Sequence, residues 1–161
     1  MTIAVAIAPL DITDPAVAST VLEIQRRSYR VEAGLIGSDA IPPLTETADA
    51  LRVCGEQFLG AFVDDQLAGF TSWKLDGNTI DIHRLAVAPS FFRSGIGVAL
   101  VRAVLSAEPD ARSAIVQTGA ANEPAKALYR REGFVEVGER EVADGVRVAL
   151  FELQLQADSS S

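Results

Sequence analysis

The sequence predicts a mixed α+β fold around one mostly antiparallel sheet of seven strands, and three observations lead to it. Seven short segments alternate or concentrate apolar residues as half-buried strands do, and four others repeat apolar residues at helical spacing. Turn signals at residues 64–66 and 76–78 join three consecutive strand segments directly, which predicts an antiparallel meander. A strand–helix–strand unit follows, and such a crossover makes its two strands parallel.

The strand segments are short, and turn residues bound most of them. Asp76-Gly77-Asn78 is a strong turn between the third and fourth strands, and residues 143–145 separate the last two. The predicted strands cover residues 2–8, 58–63, 67–75, 79–87, 114–117, 134–142 and 147–155.

The helices are predicted from apolar periodicity and from their end signals. The first follows Thr13 or Asp14, either of which can cap it, with Pro15 at the first helical position. Asn122 is the expected cap of the last helix, and Gly133 is its C-terminal stop. The predicted helices cover residues 15–33, 47–53, 94–107 and 122–131, which gives the order β-α-α-β-β-β-α-β-α-β-β.

Length, charge and composition bound the kind of protein this is. The 161 residues favour one domain over residues 1–155 with a disordered tail at 156–161. A net charge of −8 argues against nucleic acid as a partner, and no apolar run approaches the ~20 residues of a membrane helix. One cysteine excludes an internal disulfide and suits a reducing cytoplasm, and one histidine with one cysteine leaves no visible metal cluster.

Residues 82–105 form the most informative stretch of the sequence. An apolar strand passes through Pro89 into a short polar turn, and the helix that follows opens with Gly95 and Gly97. Unpaired amides at a helix start favour an anion, and glycine allows a bulky ligand to approach. The nucleotide-hydrolase pattern GxxxxGK[ST] is absent, and the dinucleotide-binding pattern GxGxxG is incomplete. Taken alone, the glycines therefore indicate a phosphate-binding turn and a tight turn with close helix-to-strand packing equally well.

Two sequence motifs in this order resemble the signatures of the GNAT superfamily of N-acetyltransferases. The first is L-x-V-x-P at residues 85–89 followed by R-S-G-I-G at 93–97, which is similar to the acetyl-CoA-binding segment of that family. The second is NEPAKALYRREGF at residues 122–134. The resemblance covers essentially the whole chain and is weakest before Phe58. One departure is Phe92, which stands where the family usually has Gln or Arg.

The resemblance implies a GNAT-like sheet whose parallel fourth and fifth strands are splayed around acetyl-CoA, with helices on both faces. Main-chain amides of residues 93–98 would take the pyrophosphate, and the pantetheine arm would bond the main chain of Leu85 and Val87 like an added strand. The residues expected at the cofactor are Leu85, Val87, Phe92, Arg93, Ser94, Gly95, Ile96, Gly97, Val98, Asn122, Lys126 and Tyr129.

Acyl transfer to an amine needs an oxyanion donor, an acid for the thiolate and a base for the amine. The resemblance places the Val87 amide as the oxyanion donor and Tyr129 as the general acid, although Tyr129 could instead only pack on its helix. Asp81 and His83 are the candidate bases; they share one strand face with Leu85 if no bulge intervenes. A polar pair without catalytic role, a water chain, or the acidic residues Glu32 and Glu46 remain alternatives.

The acceptor is expected to be a primary amine on a small molecule, a peptide or a protein. Residues 24–45 lie where the family forms one wall of the acceptor site, and Tyr29, Ile41 and Pro42 could shape that pocket. The alternative function is a sensor of the same fold that binds acyl-CoA without turnover. An unrelated nucleotide-binding α/β protein would need a mostly parallel sheet, which the meander opposes. The apolar seventh strand makes a homodimer possible.

Overall fold

The computed structural model describes residues 4–36, 46–143 and 145–155, and its elements follow the predicted order. The strands are β1 Ala6–Leu10, β2 Gln57–Val63, β3 Gln66–Asp76, β4 Thr79–Val87, β5 Ser113–Gly119, β6 Val135–Ala143 and β7 Val146–Gln154. The helices are α1 Pro15–Ile36, α2 Ala48–Arg52, α3 Ile96–Ala107 and α4 Glu123–Arg131, with a 3-10 turn at Pro89–Phe91. The tail predicted at residues 156–161 lies outside the described residues.

The seven strands form one mixed sheet in the order β1-β2-β3-β4-β5-β7-β6. The pairs β1–β2, β2–β3, β3–β4, β5–β7 and β6–β7 are antiparallel, and β4 and β5 are parallel. The predicted fold class, with a meander followed by one parallel crossover, is therefore confirmed. Because β7 lies between β5 and β6, its two backbone edges are already paired and cannot add to a second chain.

Helices cover both faces of the sheet. On one face α3 and α4 pack on a core that includes Ile80, Ile82 and Phe151. On the other face α1 and α2 pack on Phe58 and Phe70. Phe70 and Phe151 are 0% and 1% exposed, and burial of each such side chain contributes about 1.5–3 kcal/mol.

Several predicted element ends differ from the structure, and two of the differences have a reason in backbone geometry. The first strand runs over Ala6–Leu10 and so extends beyond its predicted end at residue 8; Pro9 is tolerated in it because β1 is an edge strand. Residues 4 and 5 precede the strand, and the predicted residues 2 and 3 lie outside the described part of the chain. The helix predicted from residue 94 begins at Ile96, because Arg93 (φ 65°) and Gly95 (φ 84°) adopt left-handed backbone angles that no helix contains.

A β-bulge in β4 overturns the expectation that Asp81, His83 and Leu85 share one face. Trp73 of β3 pairs with Ile82 and Ser72 pairs with Arg84, so His83 is an extra residue without an opposite partner. The insertion shifts the alternation by one position. Before the bulge the even-numbered residues Ile80 and Ile82 face α3, and after it the odd-numbered residues Leu85 and Val87 do.

Arg84 follows the bulge and faces the opposite side of the sheet, where it is the centre of a partly buried polar cluster. We call Gln25, Glu46, Glu56, Ser72 and Arg84 the Arg84 cluster. The guanidinium donates to Glu56 (2.7 Å from Nε and 3.2 Å from Nη2), to both carboxylate oxygens of Glu46 and to Gln25 (2.8 Å). These contacts connect α1, the residues before α2 and β2, and β4.

The cluster keeps its carboxylates charged. Burial alone would raise the pKa of Glu46 and of Glu56, but hydrogen bonds from Arg84 outweigh it and hold both pKa values below the ordinary 4.5. Gln25 and Ser72 add a second donor to Glu46 and Glu56 respectively. For Arg84, burial opposes the charge, but the two carboxylates raise its pKa further above its already high value.

Arg84→Met should lower the free energy of unfolding by about 3 kcal/mol at pH 7, the lower end for a broken buried ion pair, because it leaves one buried and one partly buried carboxylate without a counterion. Since the pKa values of Glu46 and Glu56 are depressed in the folded state, the stability they contribute is present above pH 4.5 and is lost as the pH falls through those values. Denaturant unfolding at pH 7 and pH 3 measures this. An equal difference between the two proteins at both pH values would contradict it.

Candidate functional site

The sheet opens between β4 and β5. Their parallel pairing runs only from Thr79–Ser113 to Ile82–Val116, although both strands continue beyond it. The Ala88 amide donates to the Ala68 carbonyl of β3 at 2.8 Å, and alternate residues of an antiparallel strand bond the same neighbour. The amides and carbonyls of Leu85 and Val87 therefore point away from β3, into the gap.

A cleft of about 890 Å³ passes through this gap. Its mouth on the α3–α4 side is formed by the turn before α3, the first turn of α3 and one side of α4. The sequence-predicted cofactor residues that line the cleft are Leu85, Val87, Phe92, Arg93, Gly95, Ile96, Gly97, Val98, Asn122 and Tyr129.

The start of α3 presents unpaired amides to the cleft. The first intrahelical bond runs from the Ala99 amide to the Gly95 carbonyl (3.0 Å), so the amides of Ile96, Gly97 and Val98 have no partner within the helix. No side chain caps the helix at Gly95. Ser94 is occupied instead by donating to the Phe91 carbonyl, which closes the preceding turn. Such a helix start is suited to an anion.

Backbone geometry requires glycine at one position of this turn. Gly95 has a φ of 84°, where a side chain would be strained although no atom lies within 4 Å of its would-be Cβ. At Gly97 a Cβ would lie 3.4 Å from the Leu128 side chain of α4, which is an ordinary van der Waals distance, so packing does not require glycine there.

The start and one side of α4 form the opposite wall. Asn122 caps the helix by accepting a hydrogen bond from the Ala125 amide at 3.2 Å. The Tyr129 ring is 3% exposed and packs against Phe134 and Phe151, with ring centroids 5.6 and 5.8 Å apart. Tyr129 thus combines a fixed ring with a position at the cleft.

Lys126 does not line the cleft, and Arg131 does. The Lys126 ammonium donates to the Ala120 carbonyl at 3.0 Å and lies 3.7 Å from Glu123, so it fixes the β5–α4 connection. Helical periodicity could have identified Arg131, because it lies seven residues after Pro124 and three after Leu128, both of which face the cleft.

The second mouth of the cleft opens on the α1 side of the sheet. Ala149 and Phe151 of β7 face α3 and α4, so residues of the other parity in β7 face α1. The residues that line this mouth are Ser28, His83, Arg84, Gln117, Val142, Val146 and Val148. One wall, on β6 and β7, is therefore apolar, and the other, on β4, is polar.

His83 lies between two carboxylates at this second mouth. Its Nδ1 is 3.5 Å from an Oε2 of Glu56, and its Nε2 is 3.4 Å from an Oδ2 of Asp81. Asp81 itself does not line the cleft. The side chain of Tyr29, and Ile41 and Pro42 altogether, lie outside the described part of the chain. In that described part, no group of His, Cys, Asp and Glu side chains could hold a metal ion.

The arrangement combines the elements that transfer of an acyl group would use. One mouth offers amides for an anion, the gap offers main-chain groups of Leu85 and Val87 for an extended ligand, and the other mouth holds the imidazole of His83. Most of the residues that the sequence predicted at the cofactor lie together in this cleft. Sequence reasoning missed Glu56 and Arg84, whose partners are far away along the chain.

Comparison with known families identifies the class of protein. Residues 19–134 match the family model described as the acetyltransferase (GNAT) family. The chain is 33% identical over 140 residues to the UPF0157 protein YqkA of Bacillus subtilis, a match that covers 87% of this chain and 41% of YqkA. The chain thus spans about two-fifths of the length of that curated relative. The chain belongs to the acetyltransferase (GNAT) family.

Solved structures share the fold at low sequence identity. The ribosomal-protein-S18-alanine N-acetyltransferase of Escherichia coli superposes with a TM-score of 0.77 at 18% identity, covering 98% of this chain and 97% of the other. The PaiA N-acetyltransferase of Thermoplasma acidophilum, solved in complex with coenzyme A, gives 0.71 at 20% identity, covering 94% and 99%. Among the described residues of this chain, no helix has the length and apolar character needed to cross a membrane.

Asn122→Ala should lower the free energy of unfolding by about 1 kcal/mol, because the first turn of α4 loses its cap. Thr47→Ala is the matched control, since Thr47 caps α2 through the Ala50 amide and does not line the cleft. Both variants are expected to lose similar stability in denaturant unfolding. No loss for Asn122→Ala alone would contradict the capping role.

Proposed function

We propose that the protein transfers an acetyl group from acetyl-CoA directly to a primary amine of a small molecule, peptide or protein. The observation that carries the proposal is the gap between β4 and β5, which opens beside the unpaired amides of α3. In the reaction the amine nitrogen bonds the acetyl carbonyl carbon, the carbon–sulfur bond breaks, and coenzyme A leaves as a thiol.

The cofactor side of the cleft suits a long, anionic ligand. Amides of Ile96, Gly97 and Val98 would bind the pyrophosphate, with the Arg93 and Arg131 side chains lining the same cleft. The pantetheine arm would lie in the gap and exchange hydrogen bonds with the main chain of Leu85 and Val87. PaiA, which has the same fold, was solved with coenzyme A, and this supports the assignment.

Two groups would assist the departure of the thiol. The Val87 amide, which points into the gap, would stabilise the oxyanion that forms on the thioester carbonyl. Tyr129 would then protonate the departing thiolate; a phenol, with an ordinary pKa of about 10, can give a proton to a thiolate whose acid has one of about 8.5. The packed ring of Tyr129 would hold that hydroxyl in place.

His83 is the base that we propose for the amine. It lines the cleft, whereas Asp81 contacts it from outside. Glu46 is engaged by Arg84 and Gln25, which leaves it poorly placed as a base. The Escherichia coli neighbour acts on an alanine of a ribosomal protein, which makes a peptide amine one acceptor class to test beside small molecules.

A thiol-release assay with acetyl-CoA and a panel of amines tests the proposal. The panel contains alkylamines, diamines and short peptides with a free N-terminus. We expect amine-dependent release for at least one class, and Tyr129→Phe should lower kcat about 10²-fold because the acid is lost. The variant keeps the ring contacts with Phe134 and Phe151, so it should fold, and a thermal unfolding curve checks that it does.

The outcomes separate an enzyme from a sensor. Tight binding of acetyl-CoA without thiol release for any amine would favour the sensor. Unchanged turnover in Tyr129→Phe would remove Tyr129 as the acid.

The cofactor site can be tested separately with Gly95→Ala and Gly77→Ala. Both glycines have positive φ (84° and 62°) and open space around the would-be Cβ, so both variants should lose about 1–2 kcal/mol of stability. Only Gly95→Ala should weaken coenzyme A binding in calorimetry, because Gly77 lies in the β3–β4 turn. Equal affinities in the two variants would contradict the assignment.

A further inference from the structure

We infer that Glu56 is the positioning residue of His83: it holds the imidazole through Nδ1 so that Nε2 receives the proton of the acceptor amine. This inference rests on the proposed function. Glu56 immediately precedes β2, so it lies outside both sequence motifs, and it does not line the cleft.

The imidazole has an inner and an outer carboxylate. On the inner side, Glu56 faces Nδ1 at 3.5 Å, and its side chain is 7% exposed. On the outer side, Asp81 faces Nε2 at 3.4 Å, and its side chain is 40% exposed. The His83 side chain is 33% exposed and reaches the cleft. The two nitrogens therefore lie in different surroundings, one buried and one open.

Other bonds fix the Glu56 carboxylate. Its Oε1 accepts from Arg84 Nε at 2.7 Å and from Ser72 Oγ at 2.6 Å, and its Oε2 accepts from Arg84 Nη2 at 3.2 Å. These donors hold the pKa of Glu56 below its ordinary value against the effect of burial. The group that faces Nδ1 is thus a carboxylate that can only accept hydrogen bonds.

Both nitrogens face a carboxylate, but water screens the exposed Asp81 more than it screens the buried Glu56, so the attraction for a proton is stronger on the Glu56 side. The neutral imidazole then carries its proton on Nδ1, and the lone pair sits on Nε2. When the amine attacks, the nitrogen–hydrogen bond breaks and its proton passes to Nε2, while the carbon–sulfur bond breaks and the thiolate takes a proton from Tyr129. The imidazolium formed lies between the carboxylates of Glu56 and Asp81. Asp81 is exposed enough to pass the proton on to water. Distances of 3.4–3.5 Å are typical of such contacts before substrate binds.

Glu46 provides a matched control for Glu56. Both carboxylates are partners of Arg84, and both have depressed pKa values for that reason. The second side-chain donor to Glu46 is Gln25, whereas Glu56 is the carboxylate within ion-pair distance of His83 Nδ1. Glu46→Gln and Glu56→Gln should therefore perturb the Arg84 cluster similarly, and only Glu56→Gln should affect the imidazole.

The kinetic experiment compares these variants with the amine substrate found in the thiol-release assay. We expect Glu56→Gln to lower kcat about 10²-fold, the lower end of a general base contribution, and Glu46→Gln to change it less than threefold. In a His83→Asn background, Glu56→Gln should have no further effect on kcat. Equal losses in Glu56→Gln and Glu46→Gln, or a full additional loss in the His83→Asn background, would overturn the inference.

A spectroscopic experiment tests the same contact without any turnover. His83 is the single histidine of the chain, so a long-range proton–nitrogen NMR correlation reports its tautomer without assignment. At a pH where the imidazole is neutral, the wild type and Glu46→Gln should carry the proton on Nδ1. Glu56→Gln should shift the population to the Nε2 tautomer. The same tautomer in all three proteins would overturn the inference.

Glu56→Asp tests the same contact in a variant that is expected to fold. It keeps the charge that Arg84 needs but withdraws the carboxylate by one methylene, so it should fold and still lose the Nδ1 tautomer. If no amine supports thiol release while the tautomer shifts as expected, the proposed function has failed and the contact stands. If turnover is found and the tautomer never shifts, the positioning role has failed alone.

Discussion

The extra residue in β4 is the constraint on which the rest of the site depends. Without the bulge at His83, strict alternation would put Arg84 on the same face as Ile82, against the apolar side of α3. A guanidinium there would be buried without a counterion, which costs far more than any packing gain. With the bulge, Ile82 stays in the α3 core, Arg84 turns to the other face, and Leu85 resumes the first.

The Arg84 cluster is better explained by geometry than by stability. A buried ion pair gains little over a well-packed apolar group of the same size, because removing the charges from water costs about as much as their attraction returns. Arg84 nevertheless contacts three segments distant in sequence, through Gln25, Glu46 and Glu56. A directional network of this kind fixes the point at which β4 separates from β5. An apolar cluster, which has no directional bonds, would fix that point less strictly.

Sequence alone predicted the parts of the molecule that depend on local rules. Apolar periodicity predicted the helix over residues 94–107, in which Leu100 and Val104 are buried, and the motif around Gly95 located the turn before α3. The bulge left only a short signal, the two successive polar residues His83 and Arg84, which a prediction of strict alternation does not use. The partners of Arg84 were also out of reach, because they lie 28 to 59 residues away and only the fold brings them together.

The charged and polar groups around the cleft are distributed in a way that the net charge of the chain does not reveal. A chain with a net charge of −8 would repel an anionic cofactor at long range, yet backbone amides at α3 offer binding that adds no basic residue. On the other face, His83 stands among carboxylates while Val142, Val146 and Val148 form the opposite wall. Under the proposed function the two ligands enter from opposite faces of the sheet, the anion at amides and the amine at carboxylates. The negative charge of the cofactor and the positive charge of the amine are then bound at separate places, and only the uncharged reacting groups come together in the gap.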